Sequence, residues 1–241
     1  MRERAPVLVI GGTRGTGLLI VHLLERQGTE IRILARDEAR ARAAVGSHTE
    51  VISGDITKPD TLPPALAGVR HVIFTAGVRS GRPSGESEIR ATEYDGVRHT
   101  LEAARRTGFA GRFLYMTASG VTARSFATFA LNLFKGNTLV WRRRAEDELR
   151  ASGLDYTIIR AGVLVNDASG RRGIVITQRP LPLSLRHRIA RDDVAQIFVA
   201  AMEHPRASRA TFEAVWGKGP RLPLASLLDN LRPDAVPGSS T

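Results

Sequence analysis

Cysteine is absent from the 241 residues, which excludes disulfides, thiolate metal sites and a cysteine nucleophile. Aromatic residues make up only 5% of the chain, so few rings are available for nucleic-acid bases to stack on. Every apolar run is shorter than the roughly 18 residues that a membrane span needs, and the basic N-terminus lacks a signal-peptide cleavage pattern. These absences predict a cytoplasmic protein without a membrane segment.

The charge of the chain is strongly basic, with a formal net charge of +11 and a sequence pI near 11.2. Arginine supplies 32 of the 35 basic residues, and the arginines are scattered along the whole sequence. Proteins that bind nucleic acid concentrate such residues on one face or in a tail. The scatter of the arginines therefore argues against nucleic-acid binding. No spacing of histidines and carboxylates indicates a metal site.

Short apolar runs typical of buried strands alternate with helical patterns through two thirds of the chain. This alternation predicts βαβ units and a doubly wound parallel sheet with helices on both faces. The strands are expected at residues 7–10, 31–34, 49–53, 71–76, 112–117 and 156–160.

The chain after Arg160 predicts short edge strands or a loop, an amphipathic helix in ARDDVAQIFVAAMEH and a last strand in TFEAVWG. We expect a single domain over residues 1–232, in which residues 161–232 contribute most of the substrate side. The remaining residues, 233–241, are expected to form a disordered tail.

The first strand leads into the glycine-rich turn of VLVIGGTRGTGLLIVHLLERQG. Its glycines permit a tight turn, let the backbone approach a pyrophosphate and bring the following helix against the strand. Free N–H groups at the start of that helix can face the phosphates. The pattern predicts a Rossmann-type dinucleotide site, with contacts from Gly11, Thr13, Arg14, Gly15, Thr16 and Gly17.

The residue that ends the second strand lies beside the adenosine ribose, where NAD-preferring sites place a carboxylate. This chain has Ala35 and Arg36 there, and Arg14 of the glycine turn can reach the same place. Two guanidinium groups without an acid suit the 2′-phosphate of NADP(H). The alternative is that both are solvated surface arginines.

The sequence at this point resembles the short-chain dehydrogenase/reductase superfamily, and within it the atypical, NmrA-like branch of NAD(P)H-binding proteins. The resemblance covers about residues 5–217 and rests on GGTRGTG, SGDITKPDTL, the TAG at 75–77, RASGLDYTIIRAGVL and IARDDVA. It implies the fold and the cofactor, while substrates in this branch vary widely. It also implies cofactor contacts from Asp55, Ile56, Thr75, Ala76 and Gly77.

The chain departs from the resemblance at the catalytic pair. Members that reduce carbonyls carry Tyr-x-x-x-Lys on the helix after the fifth strand, and those positions fall here on Thr138 and Arg142. The supporting serine of the family corresponds to either Thr117 or Ser119. Thr117, Ser119, Thr138 and Arg142 are thus the candidate catalytic residues, although neither threonine nor arginine is a good general acid.

Three consecutive arginines, Arg142 to Arg144, belong to the same helix. Trp141, Ala145 and Leu149 form its apolar stripe, and helical geometry turns only Arg142 toward the sheet. We expect Arg142 to meet the ribose or a phosphate of the cofactor. Arg143 and Arg144 are expected to form a solvated face with salt bridges to the acids four residues later.

Three functions follow from these features. The first is an NADPH-dependent reductase that acts on a small molecule, with a quinone, a flavin or another easily reduced acceptor favoured because the usual proton donor is absent. The second is a regulator or assembly factor that binds NADP(H) without turnover, and the third is nucleic-acid binding. Residues 116–137 are expected to border the nicotinamide pocket together with GVLVNDASG, or else to pack against a second subunit in a homodimer.

Overall fold

A computed structural model describes residues 5–78, 84–122 and 137–235. The strands are β1 (Val7–Ile10), β2 (Ile31–Ala35), β3 (Thr49–Ser53), β4 (His71–Phe74), β5 (Arg112–Ala118), β6 (Asp155–Ala161), β7 (Val163–Val165), β8 (Gly173–Thr177), β9 (Arg188–Ala190) and β10 (Ala210–Gly217). Eight of them form one sheet in the order β3-β2-β1-β4-β5-β6-β10-β8, in which all neighbours are parallel except the edge strand β8. The predicted doubly wound, Rossmann-type sheet is confirmed.

Helices cover both faces of this sheet. They are α1 (Gly15–Arg26), α2 (Glu38–Ala44), α3 (Pro63–Leu66), α4 (Glu86–Arg90), α5 (Gly96–Arg106), α6 (Thr138–Ala151), α7 (Arg191–Glu203) and α8 (Leu224–Leu228). A π-helical turn, Ala91–Asp95, joins α4 to α5, so the helical segment between β4 and β5 contains one irregular turn. π-Helical turns are rare in proteins, and many of those that occur lie at functional sites.

The sequence of the central strand β1 does not alternate between apolar and polar residues, and the packing of the strand explains why. Val7 and Val9 pack in the layer of α1 and α7, whereas Leu8 and Ile10 pack in the layer of α3, α5 and α6. All four side chains are buried because helices cover both faces of the sheet.

Two parts of the C-terminal region differ from the sequence prediction. Strands β7 and β9 pair as a separate two-stranded sheet, which the proline-broken sequence around them did not reveal. Residues 233–235 belong to the tail expected to be disordered, yet the carboxylate of Asp234 accepts from the Thr211 amide at 3.0 Å and from the Tyr156 hydroxyl at 3.0 Å. The last residues, 236–241, lie outside the described part.

Candidate dinucleotide site

The glycine turn packs directly against the segment that follows β4. Gly11 has φ +88° and Gly15 has φ +54°, both in the left-handed region that favours glycine. A Cβ atom on Gly11 would lie 2.7 Å from the Ala76 amide nitrogen, and one on Gly17 would collide with the carbonyl oxygen of Gly11. Thr75 stabilises the packing of this segment on the glycine turn, because its Oγ1 donates to the Ile10 carbonyl at 3.1 Å. The structure therefore brings these two predicted cofactor segments together.

The start of α1 fits an anion. Its first turn contains no acidic residue, and the preceding residue, Arg14, has an extended backbone and makes no capping hydrogen bond with its side chain. The hydroxyl of Thr16 is buried and has no hydrogen-bond partner among the described residues. Helix N-termini attract phosphates through free N–H groups and the helix dipole, and the unpaired hydroxyl adds one more donor. These residues fit the pyrophosphate of a dinucleotide.

The end of β2 lies at the same edge of the sheet as the glycine turn, since β1 and β2 are parallel neighbours. Arg36 follows the strand and is exposed. The next acid, Asp37, accepts from the Arg40 amide at 3.0 Å and so caps α2. Arg14 donates to the Gly77 carbonyl at 3.4 Å. Arg36 is therefore the cation at the end of β2, whereas the guanidinium of Arg14 lies beside the segment that follows β4.

Asp55 and Ile56 follow β3 at the same edge. Asp55 Oδ1 accepts from the amide and the hydroxyl of Thr57, both at 2.9 Å. Ile56 packs against Gly96 at the start of α5. A Cβ atom on Gly96 would lie 2.7 Å from Cδ1 of Ile56. Asp55 thus shapes its own loop, and Ile56 fixes that loop on α5.

Arg142 points inward, as predicted, but its partner is a protein side chain. Its Nε lies 2.9 Å from Glu93 Oε2, and its Nη2 lies 3.1 Å from Glu93 Oε1. Glu93 belongs to the π-helical turn, is 2% exposed and also accepts from the Val78 amide at 3.0 Å. Glu93 therefore supplies an anionic partner within the protein, and the expected contact of Arg142 with the ribose or a phosphate of the cofactor stays a prediction.

The other two arginines of the triplet are exposed, as predicted, but the predicted salt bridges are wrong. The guanidinium of Arg144 lies 4.6 Å from the centre of the Trp141 ring, a cation–π contact. Glu148, four residues after Arg144, accepts from the Tyr94 hydroxyl at 2.8 Å. Asp147, four residues after Arg143, pairs with Arg150 at 3.0 Å. The acids that sequence spacing indicated have therefore taken other partners.

Thr138 and Arg142 lie one turn apart at the beginning of α6, and Thr138 is buried. Residues four apart share a helix face. Thr138 and Arg142 therefore share a helix face, as the family's Tyr-x-x-x-Lys pair would, but a threonine replaces the titratable tyrosine. The sequence between Ala123 and Gly136, which makes up most of the predicted pocket border 116–137, lies outside the described residues.

A row of buried polar side chains crosses three neighbouring strands beneath these positions. Thr117 on β5 pairs in register with Arg160 on β6, which pairs with Glu213 on β10. Thr117 donates to Glu146 at 2.7 Å, and Ser119 donates to Glu213 at 2.7 Å. Arg160 donates to both oxygens of Glu146, at 3.0 and 2.6 Å. Each hydroxyl that resembles the family's serine is thus tied to its own buried glutamate.

The two glutamates, Glu146 and Glu213, differ in how closely arginine side chains approach them. Glu146 accepts hydrogen bonds from Arg160 and also from Arg150 Nη2 at 3.0 Å, so two guanidinium groups contact it. Glu213 lies 3.5 Å from the nearest arginine nitrogen, and its Oε1 has no hydrogen-bond partner among the described residues. Burial raises the pKa of Glu213 above its usual range despite the hydrogen bond from Ser119. Glu213 can therefore hold a proton at a higher pH than an exposed glutamate.

The tyrosines offer no substitute acid. Burial raises the pKa of Tyr115 and of Tyr156, and the hydrogen bond to Glu148 raises the pKa of Tyr94.

The sequence analysis did not identify the buried charged residues, although charged residues inside apolar runs such as YTIIR and TFEAVWG could have indicated them. The missed residues are Glu93, Glu146, Arg160 and Glu213.

Within the described ranges, no group of three His, Asp or Glu side chains is arranged to hold a metal ion. No helix in that part of the chain is both long and apolar enough to cross a membrane.

Comparison with known proteins agrees with this geometry. Sanguinarine reductase of Eschscholzia californica is 30% identical over 88% of this chain and 89% of its own length. The photosystem II assembly factor Ycf39 of Trieres chinensis is 25% identical over 88% of this chain and 64% of its own length. A solved Bacillus halodurans structure, assigned as an NAD-dependent epimerase/dehydratase, superposes with a TM-score of 0.75 at 25% identity, over 94% of this chain and all of that one. The sequence model of the NAD(P)H-binding family matches residues 11–205, and the chain belongs to that family.

Proposed function

We propose that this protein is an NADPH-dependent reductase that lacks the usual Tyr-x-x-x-Lys pair. The observation that carries the proposal is the acid-free start of α1, with the unpaired Thr16 hydroxyl between the glycines, together with Arg36 directly after β2. Membership of the NAD(P)H-binding family and the similarity to a reductase support it.

Arg14 and Arg36 favour NADPH over NADH in this proposal. Each guanidinium can form charge-assisted hydrogen bonds to a 2′-phosphate, and Asp37 is engaged as the cap of α2. Gly11 and Gly17 let the turn pack against Thr75 and Ala76 and so position the start of α1 for the pyrophosphate, while Asp55 and Ile56 would border the adenine.

A bound NADPH supplies the hydride, and the chain must position the acceptor and manage one proton. Thr138 cannot donate that proton readily, and Arg142 is committed to Glu93. Ser119 rather than Thr117 is the relay in this proposal, because its partner Glu213 has a raised pKa and can replenish the proton. This arrangement favours an acceptor that needs little acid catalysis, such as a quinone or a flavin.

The alternative function is a regulator or assembly factor that binds NADP(H) without turnover. The substitution of the tyrosine position by Thr138 and the lysine position by Arg142 favours it, as does the similarity to an assembly factor. The two functions share one cofactor site and differ only in whether the cofactor is oxidised.

Oxidation of NADPH in the presence of a panel of quinones and flavins tests the proposal. We expect at least one acceptor to be reduced with NADPH consumed in equal amount. A variant that blocks the glycine turn, Gly17→Val, is the control, because its side chain would meet Gly11 and Thr75 and abolish cofactor binding. Tight NADPH binding without oxidation by any acceptor would reject the reductase and favour the regulator.

A further inference from the structure

A second cation reaches the glycine turn from the far half of the chain. Arg191 is the first residue of α7, which packs beside α1 on the same face of the sheet. Its Nε lies 3.8 Å from the point that a Cβ atom on Gly15 would occupy. The guanidinium of Arg191 is therefore beside the second glycine of the turn, where the backbone of such a turn approaches the pyrophosphate.

The charge of Arg191 is not neutralised by the acids that follow it. Asp192 accepts from the Ser169 hydroxyl and from Gln196 at 2.8 Å. Asp193 is buried and accepts from Trp216 at 2.7 Å and from Arg221 at 2.6 Å.

Arg191 itself makes no hydrogen bond or ion pair with any residue in the described part of the chain, and it is half-buried. An arginine in such a position carries the cost of partial desolvation without a compensating partner. A phosphate held at the start of α1 would provide that partner, since guanidinium and phosphate geometries match.

We infer that Arg191 binds the pyrophosphate of the dinucleotide, so that the phosphates are held between the start of α1 and a cation carried by α7. This inference rests on the cofactor site of the proposed function, not on turnover. It assigns Arg191 a different role from Arg14 and Arg36, for which contact with the 2′-phosphate is proposed.

Calorimetric titration of NADP⁺ and NAD⁺ into the intact protein and its variants tests the assignment. Because both ligands carry the pyrophosphate, Arg191→Ala should weaken both by the same factor, about 10- to 100-fold for the loss of charge-assisted hydrogen bonds. Arg36→Ala should weaken only NADP⁺. The matched control is Arg206→Ala, which removes an exposed arginine near the other end of α7 and should leave both affinities unchanged.

Two results with Arg191→Ala would overturn the inference. Unchanged affinities in Arg191→Ala would mean that Arg191 does not touch the cofactor, and a loss confined to NADP⁺ would move its contact to the 2′-phosphate. If Arg191→Ala fails to fold, as judged by circular dichroism, Arg191→Lys decides: it should show a smaller loss for both ligands, and no loss would reject the role. If the wild-type protein binds NADP⁺ but none of the acceptors supports NADPH oxidation, the proposed reductase activity is rejected. The assignment of Arg191 to the pyrophosphate is unaffected by that result.

Discussion

The pair formed by Arg142 and Glu93 gives a prediction whose size follows from the structure. Arg142→Ala would leave the Glu93 carboxylate, 2% exposed, with only the Val78 amide as its described partner. Removing one member of a buried pair costs about 3 to 5 kcal/mol, and the 21% exposure of the Arg142 side chain places this case near the lower value. A loss of about 3 kcal/mol corresponds to a decrease in Tm of about 6 to 12 °C for a chain of this length.

The neighbouring arginines provide matched controls in the same helix. Arg143→Ala removes an exposed side chain and should change the free energy of unfolding by less than about 0.5 kcal/mol. Arg144→Ala also removes the contact with the Trp141 ring, which adds about 0.5 to 1 kcal/mol at an exposed site. The double variant Arg142→Ala/Glu93→Gln should recover part of the loss, because it no longer buries an unpaired charge.

Urea unfolding followed by circular dichroism measures all four variants. Arg142→Ala should also weaken NADPH binding, since Glu93 holds the Val78 amide next to Gly77. Equal stability of the Arg142→Ala and Arg143→Ala proteins would refute the reasoning, because the buried pair would then contribute nothing.

The other predictions concern the cofactor turn and the buried acid. Thr16→Val should leave thermal stability nearly unchanged, because the hydroxyl has no described partner, yet weaken NADPH binding by about 0.5 to 1.5 kcal/mol for one lost hydrogen bond; calorimetry that finds full affinity would exclude Thr16 from the site. Glu213 has a folded-state pKa above its unfolded value, so native Glu213 binds protons first and the protein should gain stability as pH falls from that raised pKa toward about 4.5. Glu213→Gln should abolish this gain in denaturant titrations at several pH values, and an identical pH dependence in both proteins would show that Glu213 is not the titrating group.

The sequence predicted the sheet because its signals are local. Each buried strand is a short, largely apolar run, and the glycines of the first turn are required by close backbone contacts and by their own backbone angles. The predicted cofactor side of the site rests on the same turn and on the arginine, in place of an acid, directly after β2.

The partners of the buried charges could not be predicted, because they are set by tertiary contacts. Helical phase showed that Arg142 faces inward, but Glu93 lies 49 residues away and enters the site only through a π-helical turn. Likewise, Glu213 meets Ser119 across 94 residues of sequence, a contact that depends on strand order. Local spacing instead pointed to acids four residues after each arginine, and these proved to have other partners.

The choice of cofactor is the claim on which the account depends most. Calorimetric titration of the unmodified protein with NADPH and NADH measures it directly. The account predicts that NADPH binds more tightly by about 1.5 to 3 kcal/mol for each charge-assisted contact to the 2′-phosphate, and that Arg36→Asp reverses the preference. Equal affinities for the two cofactors in the unmodified protein, or a preference for NADH, would contradict it.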